Sequence, residues 1–236
     1  MNDSPVKITI SSSRVRAVLT YSVVALVVLN LIGLFFNYFL GYEYVYGFVP
    51  KFDLDTEHSI PTYFSALLLL TASCLLYAIS TAMKKYGDIY AKHWLYLSII
   101  FFCMSVDEAS SIHELLVPPL RNAFDLSGVL YFSWVIVGFA AVVIVSIAYL
   151  RFLLNLPRNT QIGFVLAAGV YVSGVLGVEL LGGFYSSNYG ELNPVYALIT
   201  TVEETLEMTG LVIFINALIN FLLSNRLSIQ LEIGER

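Results

Sequence analysis

The sequence predicts an all-α protein: a polytopic membrane helix bundle of about six transmembrane helices with both termini cytoplasmic. Three observations carry that prediction. Of 236 residues, 58% are hydrophobic and only 12% are charged, against roughly 25% charged in soluble domains. A core cannot absorb that much apolar surface, so the surface itself must face lipid. The apolar residues are gathered into runs of roughly 20, the length a helix needs to cross a bilayer. The cations, finally, gather in alternate connections between those runs. Nothing basic enough to bind nucleic acid is present.

Taken in order, the runs predict helices over about Ala17 to Leu40, Thr62 to Met83, His93 to Val117, Gly128 to Leu153, Ile162 to Tyr185 and Pro194 to Leu223. The first is longer than a signal-peptide core of roughly 7–15 residues and ends without a small-residue cleavage site, so it is expected to be retained. Pro118-Pro119 should end the third helix, because proline removes a backbone donor and disfavours helix before it. Pro157 follows the fourth, and Gly190 and Pro194 bracket the turn before the sixth. No connection is long enough for a soluble domain, so residues 1–236 are expected to form one membrane domain. Cys74 and Cys103 fall in apolar runs and are expected as packed thiols. Gly169, Ser173 and Gly177 recur at four-residue spacing, a pattern that lets helices pack closely.

Lys7, Arg14 and Arg16 precede the first helix, and Lys84, Lys85 and Lys92 lie between the second and third. Arg151 and Arg158 flank the next even connection, and Arg226 and Arg236 follow the last helix; only Lys51 and Arg121 lie on the opposite side. This asymmetry puts both termini in the cytoplasm. Tyr42, Tyr44, Tyr46 and Phe48 are then expected in an outer aromatic belt. Asp53, Asp55, Glu57 and His58 are expected in a solvated outer loop, where they would guide cations inward.

Seven acids fall inside the predicted helices: Asp107, Glu108, Glu114, Glu179, Glu203, Glu204 and Glu207. An ionised group at bilayer depth costs about 2.5–3.5 kcal/mol on insertion scales, and such residues mark functional interiors. The alternating topology places all seven in the outer half of the membrane. At about 100° per residue, Asp107, Ser110, Ser111 and Glu114 share a stripe that His113 borders. No lysine or arginine is expected at that depth. Either some carboxyls hold protons or a bound cation compensates them. Carboxylates with one imidazole suit iron, manganese or zinc, whereas oxygen donors alone would suit calcium or magnesium.

The stretch Ser105-Val106-Asp107-Glu108-Ala109-Ser110-Ser111-Ile112-His113-Glu114, followed by Glu203-Glu204-Thr205-Leu206-Glu207-Met208, resembles an uncharacterised family of bacterial multipass membrane proteins. The resemblance implies a bacterial inner (cytoplasmic) membrane location and supplies no mechanism. Two characterised patterns fail residue by residue. A ferritin-like di-iron site needs Glu-x-x-His, and Ser110 stands where that glutamate belongs. Membrane ceramidase-like hydrolases have a late His-x-x-x-His, and no histidine follows His113.

The sequence thus suggests a metal-dependent membrane enzyme acting on a small molecule, lipid or ion at the outer leaflet. Asp107, His113, Glu203 and Glu207 would be metal ligands, with Glu179 beside them. Glu108, Glu114 and Glu204 would be further ligands or the general base. The alternatives are a cation or proton-coupled transporter built on the same acids, and a structural subunit whose acids are protonated. Substrate and oligomeric state are not encoded in any motif here.

Overall fold

A computed structural model describes residues 11–225, and these are helical with no strand among them. Five helices are long and apolar enough to cross a membrane, and a bent pair makes a sixth candidate. The chain is a multipass membrane protein. Lys7, Arg226 and Arg236 of the cation pattern lie outside the described residues.

Helix α1 (Ser12–Leu40) is closed by Gly41 in the left-handed region, φ 71°. The chain then folds back. Helix α2 (Phe48–Phe52) returns along α1, with the Phe36 and Phe48 rings edge to face, centroids 6.5 Å apart. Val49 and Leu54 are buried by this return. The expected solvated loop is therefore partly inserted in the bundle, although Tyr42, Tyr44 and Tyr46 remain exposed.

Helix α3 (Ile60–Lys85) starts at a side-chain cap, the Ser59 hydroxyl accepting the Thr62 N–H at 3.3 Å. It pairs along its length with α4 (Ala91–Ser110). Three serine contacts join the two: Ser73 with Ser98, Ser80 donating to the Ala91 carbonyl and Ser105 donating to the Ala66 carbonyl. Small hydroxyl residues let the backbones approach where lipid supplies no hydrophobic drive.

The third predicted span breaks. Ser111 takes φ 48°, and after a 3₁₀ turn (His113–Leu116) helix α5 (Val117–Phe124) leaves at 77°. Only the residues up to Ser110 continue the membrane helix, so the stripe drawn from Asp107 through Ser111 to Glu114 does not exist as a helix face. The fourth span begins later than expected: α6 covers Val135–Asn155, with a 3₁₀ turn at Gly128–Leu130 before it.

The fifth span runs through α7 (Arg158–Val172), a π-helical turn (Ser173–Val178) and α8 (Glu179–Tyr189). Helix α9 (Pro194–Ser224) follows, its N-terminus capped by Asn193, whose Oδ1 accepts the N–H groups of Val195 and Tyr196. This last helix is the centre of the bundle, packed against α1, α3 and α7. Its Met208, Ile215 and Leu218 join Leu76, Ile79 and Trp94 in the core.

Two packing expectations are corrected. Gly169, Ser173 and Gly177 lie on an exposed face, and a Cβ at either glycine would meet nothing within 4 Å. Close approach falls instead on Gly174, Gly210 and Gly163. A Cβ at Gly174 would stand 2.8 Å from the Glu203 carbonyl oxygen, and one at Gly210 would stand 2.8 Å from the Tyr171 backbone nitrogen. Cys74 and Cys103 are exposed rather than packed, because the opposite faces of α3 and α4 meet each other.

Candidate functional site

The connections 41–59, 111–134 and 190–193 emerge at one end of the bundle, here the acidic end. From there a cavity of about 1200 Å³ descends between α4, α6, α7 and α9. All eight of the expected site residues line it: Asp107, Glu108, His113, Glu114, Glu179, Glu203, Glu204 and Glu207. Three separate helices and one bent connection deliver them to a single space.

The break at Ser111 brings His113 back onto Asp107. The His113 backbone N–H donates to Asp107 Oδ1 at 2.8 Å, and its Nδ1 lies 3.0 Å from Oδ2. Both carboxylate oxygens are thus engaged by one residue, and the ring is fixed with Nε2 as its free nitrogen. The ring also packs on Trp134, centroids 4.7 Å apart. The Trp134 indole N–H donates to Glu179 Oε1 at 2.8 Å. Beyond it the Glu179 and Glu203 carboxyls meet within hydrogen-bonding distance. Such a contact is made through a shared proton or a cation, since two bare carboxylates repel.

Glu203 and Glu207 are buried, one turn apart on α9, and Tyr171 lines the cavity with them. The approach that allows this is the Gly174 contact, where the π turn touches the backbone of α9. Glu204 and Glu108 are half-buried at the cavity wall. Glu114 is exposed and contacts Glu57. Among the described residues no group of three or more His, Cys, Asp or Glu side chains is arranged to hold a metal ion.

Several residues of the site were not among the expected site residues, although Asp55 and Glu57 were expected nearby in the outer loop. Asp55, Glu57 and Glu191 join the cavity rim. Burial, then the charges of Asp53, Glu191 and Glu179, pushes the Asp55 carboxyl up to about 7, although much of the residue is exposed. Arg121 also lines the cavity; its Nε donates to the Tyr131 carbonyl at 2.9 Å and its guanidinium lies 3.7 Å above the Tyr131 ring. A cation carried in by α5 therefore lines the same cavity, paired with Tyr131. Trp134 and Tyr171 complete the set. An indole or phenol buried beside a carboxyl needs a polar partner, but sequence alone does not say which aromatic residue will be so placed.

No curated protein and no solved structure matches this chain. A family model matches residues 17–221, and the chain belongs to that family, the domain of unknown function DUF8692.

Proposed function

We propose that the chain is a membrane-embedded enzyme whose reacting groups are gathered at the acidic end of the cavity, with a divalent cation among its carboxyls. The observation that carries this reading is the Asp107–His113 pair, set in the same cavity as Glu179, Glu203, Glu204 and Glu207. A carboxylate on Nδ1 fixes the imidazole tautomer and orients Nε2, the arrangement used by catalytic bases and by metal-bound histidines alike. In this reading Asp107 is a positioning residue and His113 the base or ligand. Glu179, Glu203 and Glu207 supply carboxylate oxygens, and Glu108, Glu114 and Glu204 relay protons at the wall. Iron, manganese or zinc would use His113 Nε2, and calcium would use the oxygens alone. The cation pattern supports a bacterial inner-membrane location with the acidic end outward.

The competing reading is an ion or proton transporter. It needs polar groups along the whole path, and below Glu207 the cavity lining offers only Ser146 and Tyr149 among apolar side chains. That favours chemistry at one end over conduction through the span.

The test has two measurements on detergent-purified protein. Elemental analysis should find about one or two divalent ions per chain, as carboxylate-rich bundle sites hold, with occupancy reduced by Glu203→Gln and selectivity shifted by His113→Ala. Incubation with total membrane lipid, followed by mass spectrometry, should show a species converted by the wild type and not by His113→Ala. Metal-free protein that converts nothing would sink the enzyme reading.

A further inference from the structure

The cavity does not stop at the acids. Helix α6 buries one residue near each end, and near the first it also touches the π turn, where a Cβ at Gly138 would stand 3.2 Å from the Leu176 side chain. At the acidic end Val135 is 4% exposed and its neighbour Trp134 is bonded to Glu179. At the opposite end Phe152 is 2% exposed, its ring stacked on His93 at 5.6 Å, and the Tyr149 hydroxyl donates to the His93 carbonyl. Between Val135 and Phe152 no residue of α6 is buried. The helix stands off the bundle like a pillar, and the space behind it is the lower part of the cavity. Its walls there are apolar: Val142 and Val145 of α6, Phe101 of α4, Val165 and Ala168 of α7, and Phe214 of α9.

The lining residues of α6 run from Val137 to Leu153. The sixteen steps between them, at about 1.5 Å each, make a shaft of about 24 Å, most of the roughly 30 Å hydrocarbon thickness of a bilayer. Ten acids, Asp55 and Glu57 included, against the single cation Arg121, line the cavity, and none of these acids lies on α6 or α7. The cavity is therefore polar and acidic at one end and apolar along the rest, parallel to the membrane normal and walled on one flank by a single helix.

We propose that this cavity binds a lipid-phase amphiphile, drawn from the bilayer past α6, with an apolar chain in the shaft and an amine or hydroxyl head at the acids. Charge complementarity chooses the head. A carboxylate or bare phosphate would face the glutamates, whereas a hydrogen-bond donor or ammonium is welcomed by Glu108 and Glu204, wall carboxyls outside the set given to the cation. The assignment deepens the enzyme reading by naming its substrate class, but binding is tested apart from turnover.

Hexadecylamine, hexadecanol and hexadecanoate are the probes, titrated into purified full-length protein in detergent and followed by native mass spectrometry. The amine and the alcohol should bind at least about tenfold more tightly than the carboxylate, a difference of about 1.4 kcal/mol. Ala168→Phe, which fills the shaft, should abolish retention of both, and Val142→Phe is the second blocking variant if the first does not fold. Glu204→Gln should erase the preference for the amine. Equal binding of all three probes, or binding untouched by either folded blocking variant, would show ordinary annular lipid and overturn the proposal. Binding without any conversion leaves the cavity assignment standing and removes the enzyme reading.

Discussion

Replacing Asn30 with alanine should loosen the acidic end of the bundle from a position that touches none of its acids. Asn30 is 2% exposed on α1. Its Nδ2 donates to Thr201 Oγ1 on α9 at 2.8 Å, and its Oδ1 accepts the Leu54 backbone N–H at 3.2 Å. One amide thus ties the first helix to the central helix and to the returning segment before Asp55. The two bonds carry different weights. A side-chain bond between membrane helices is worth about 0.6 kcal/mol on average and up to about 1.7. The Leu54 N–H is buried, and stranding such a donor costs about 1–3 kcal/mol. The sum is about 2–4 kcal/mol. At roughly 2–4 °C per kcal/mol for a chain of this size, the melting temperature in detergent should fall by about 4–16 °C. Thr201→Ser keeps the hydroxyl that accepts from Asn30 Nδ2 and leaves the Leu54 bond intact, so it should cost only about 1 kcal/mol or less for the lost methyl. An alanine variant that melts with the wild type, or a serine variant that costs as much as the alanine one, would refute the reasoning.

Three further outcomes follow from described geometry. Gly174→Ala should destabilise by about 1–3 kcal/mol by overpacking, because its Cβ would stand 2.8 Å from the Glu203 carbonyl; Gly169→Ala, with nothing within 4 Å, should be neutral or gain up to about 1 kcal/mol of helix propensity, and thermal unfolding separates the two. Burial raises the Asp55 carboxyl from an ordinary 3.8 to about 7 in the folded protein, so the folded state holds more protons across that window and stability falls as pH rises through it. Asp55→Asn, which cannot ionise, should flatten the decline in melting temperature between those two values; an unchanged slope would locate the effect elsewhere. For topology, with Cys74 and Cys103 replaced by serine, a membrane-impermeant thiol reagent added outside intact cells should label a cysteine at Thr56 and miss one at Gly87; the reverse labelling would turn the acidic end to the cytoplasm.

The spans were legible because hydropathy over roughly 20 residues is a strong signal, and the gathering of acids was legible because alternating topology fixes depth. The breaks were not. Ser111 adopts φ 48° without the glycine that usually marks such a stop, and Pro118-Pro119 pointed to an end several residues too late. The error mattered, because six residues of straight helix would leave His113 on a different face from Asp107, whereas the reversal bonds them twice. The return of α2 was equally hidden. Its cause is the pair of left-handed glycines, Gly41 and Gly47, whose sequence context reads as an ordinary loop. The small-residue stripe misled because glycine spacing shows where approach is possible, and the neighbouring Gly174 and Gly210 are where it occurs.

The π turn at Ser173–Val178 has a consequence for how this chain tolerates length changes. A π turn holds one residue more than the α-helix it interrupts. Deleting a single residue there would restore an unbroken α-helix from Arg158 to Tyr189, locally a more regular structure. Because the wide turn absorbs the extra residue, the helix beyond would keep its face, and Glu179 would still meet the Trp134 indole. A second deletion would find no spare residue and would turn everything beyond by about 100°, swinging Glu179 away from α6 and α9. The irregular turn is thus a place where this span can lose one residue and keep its carboxyl in register.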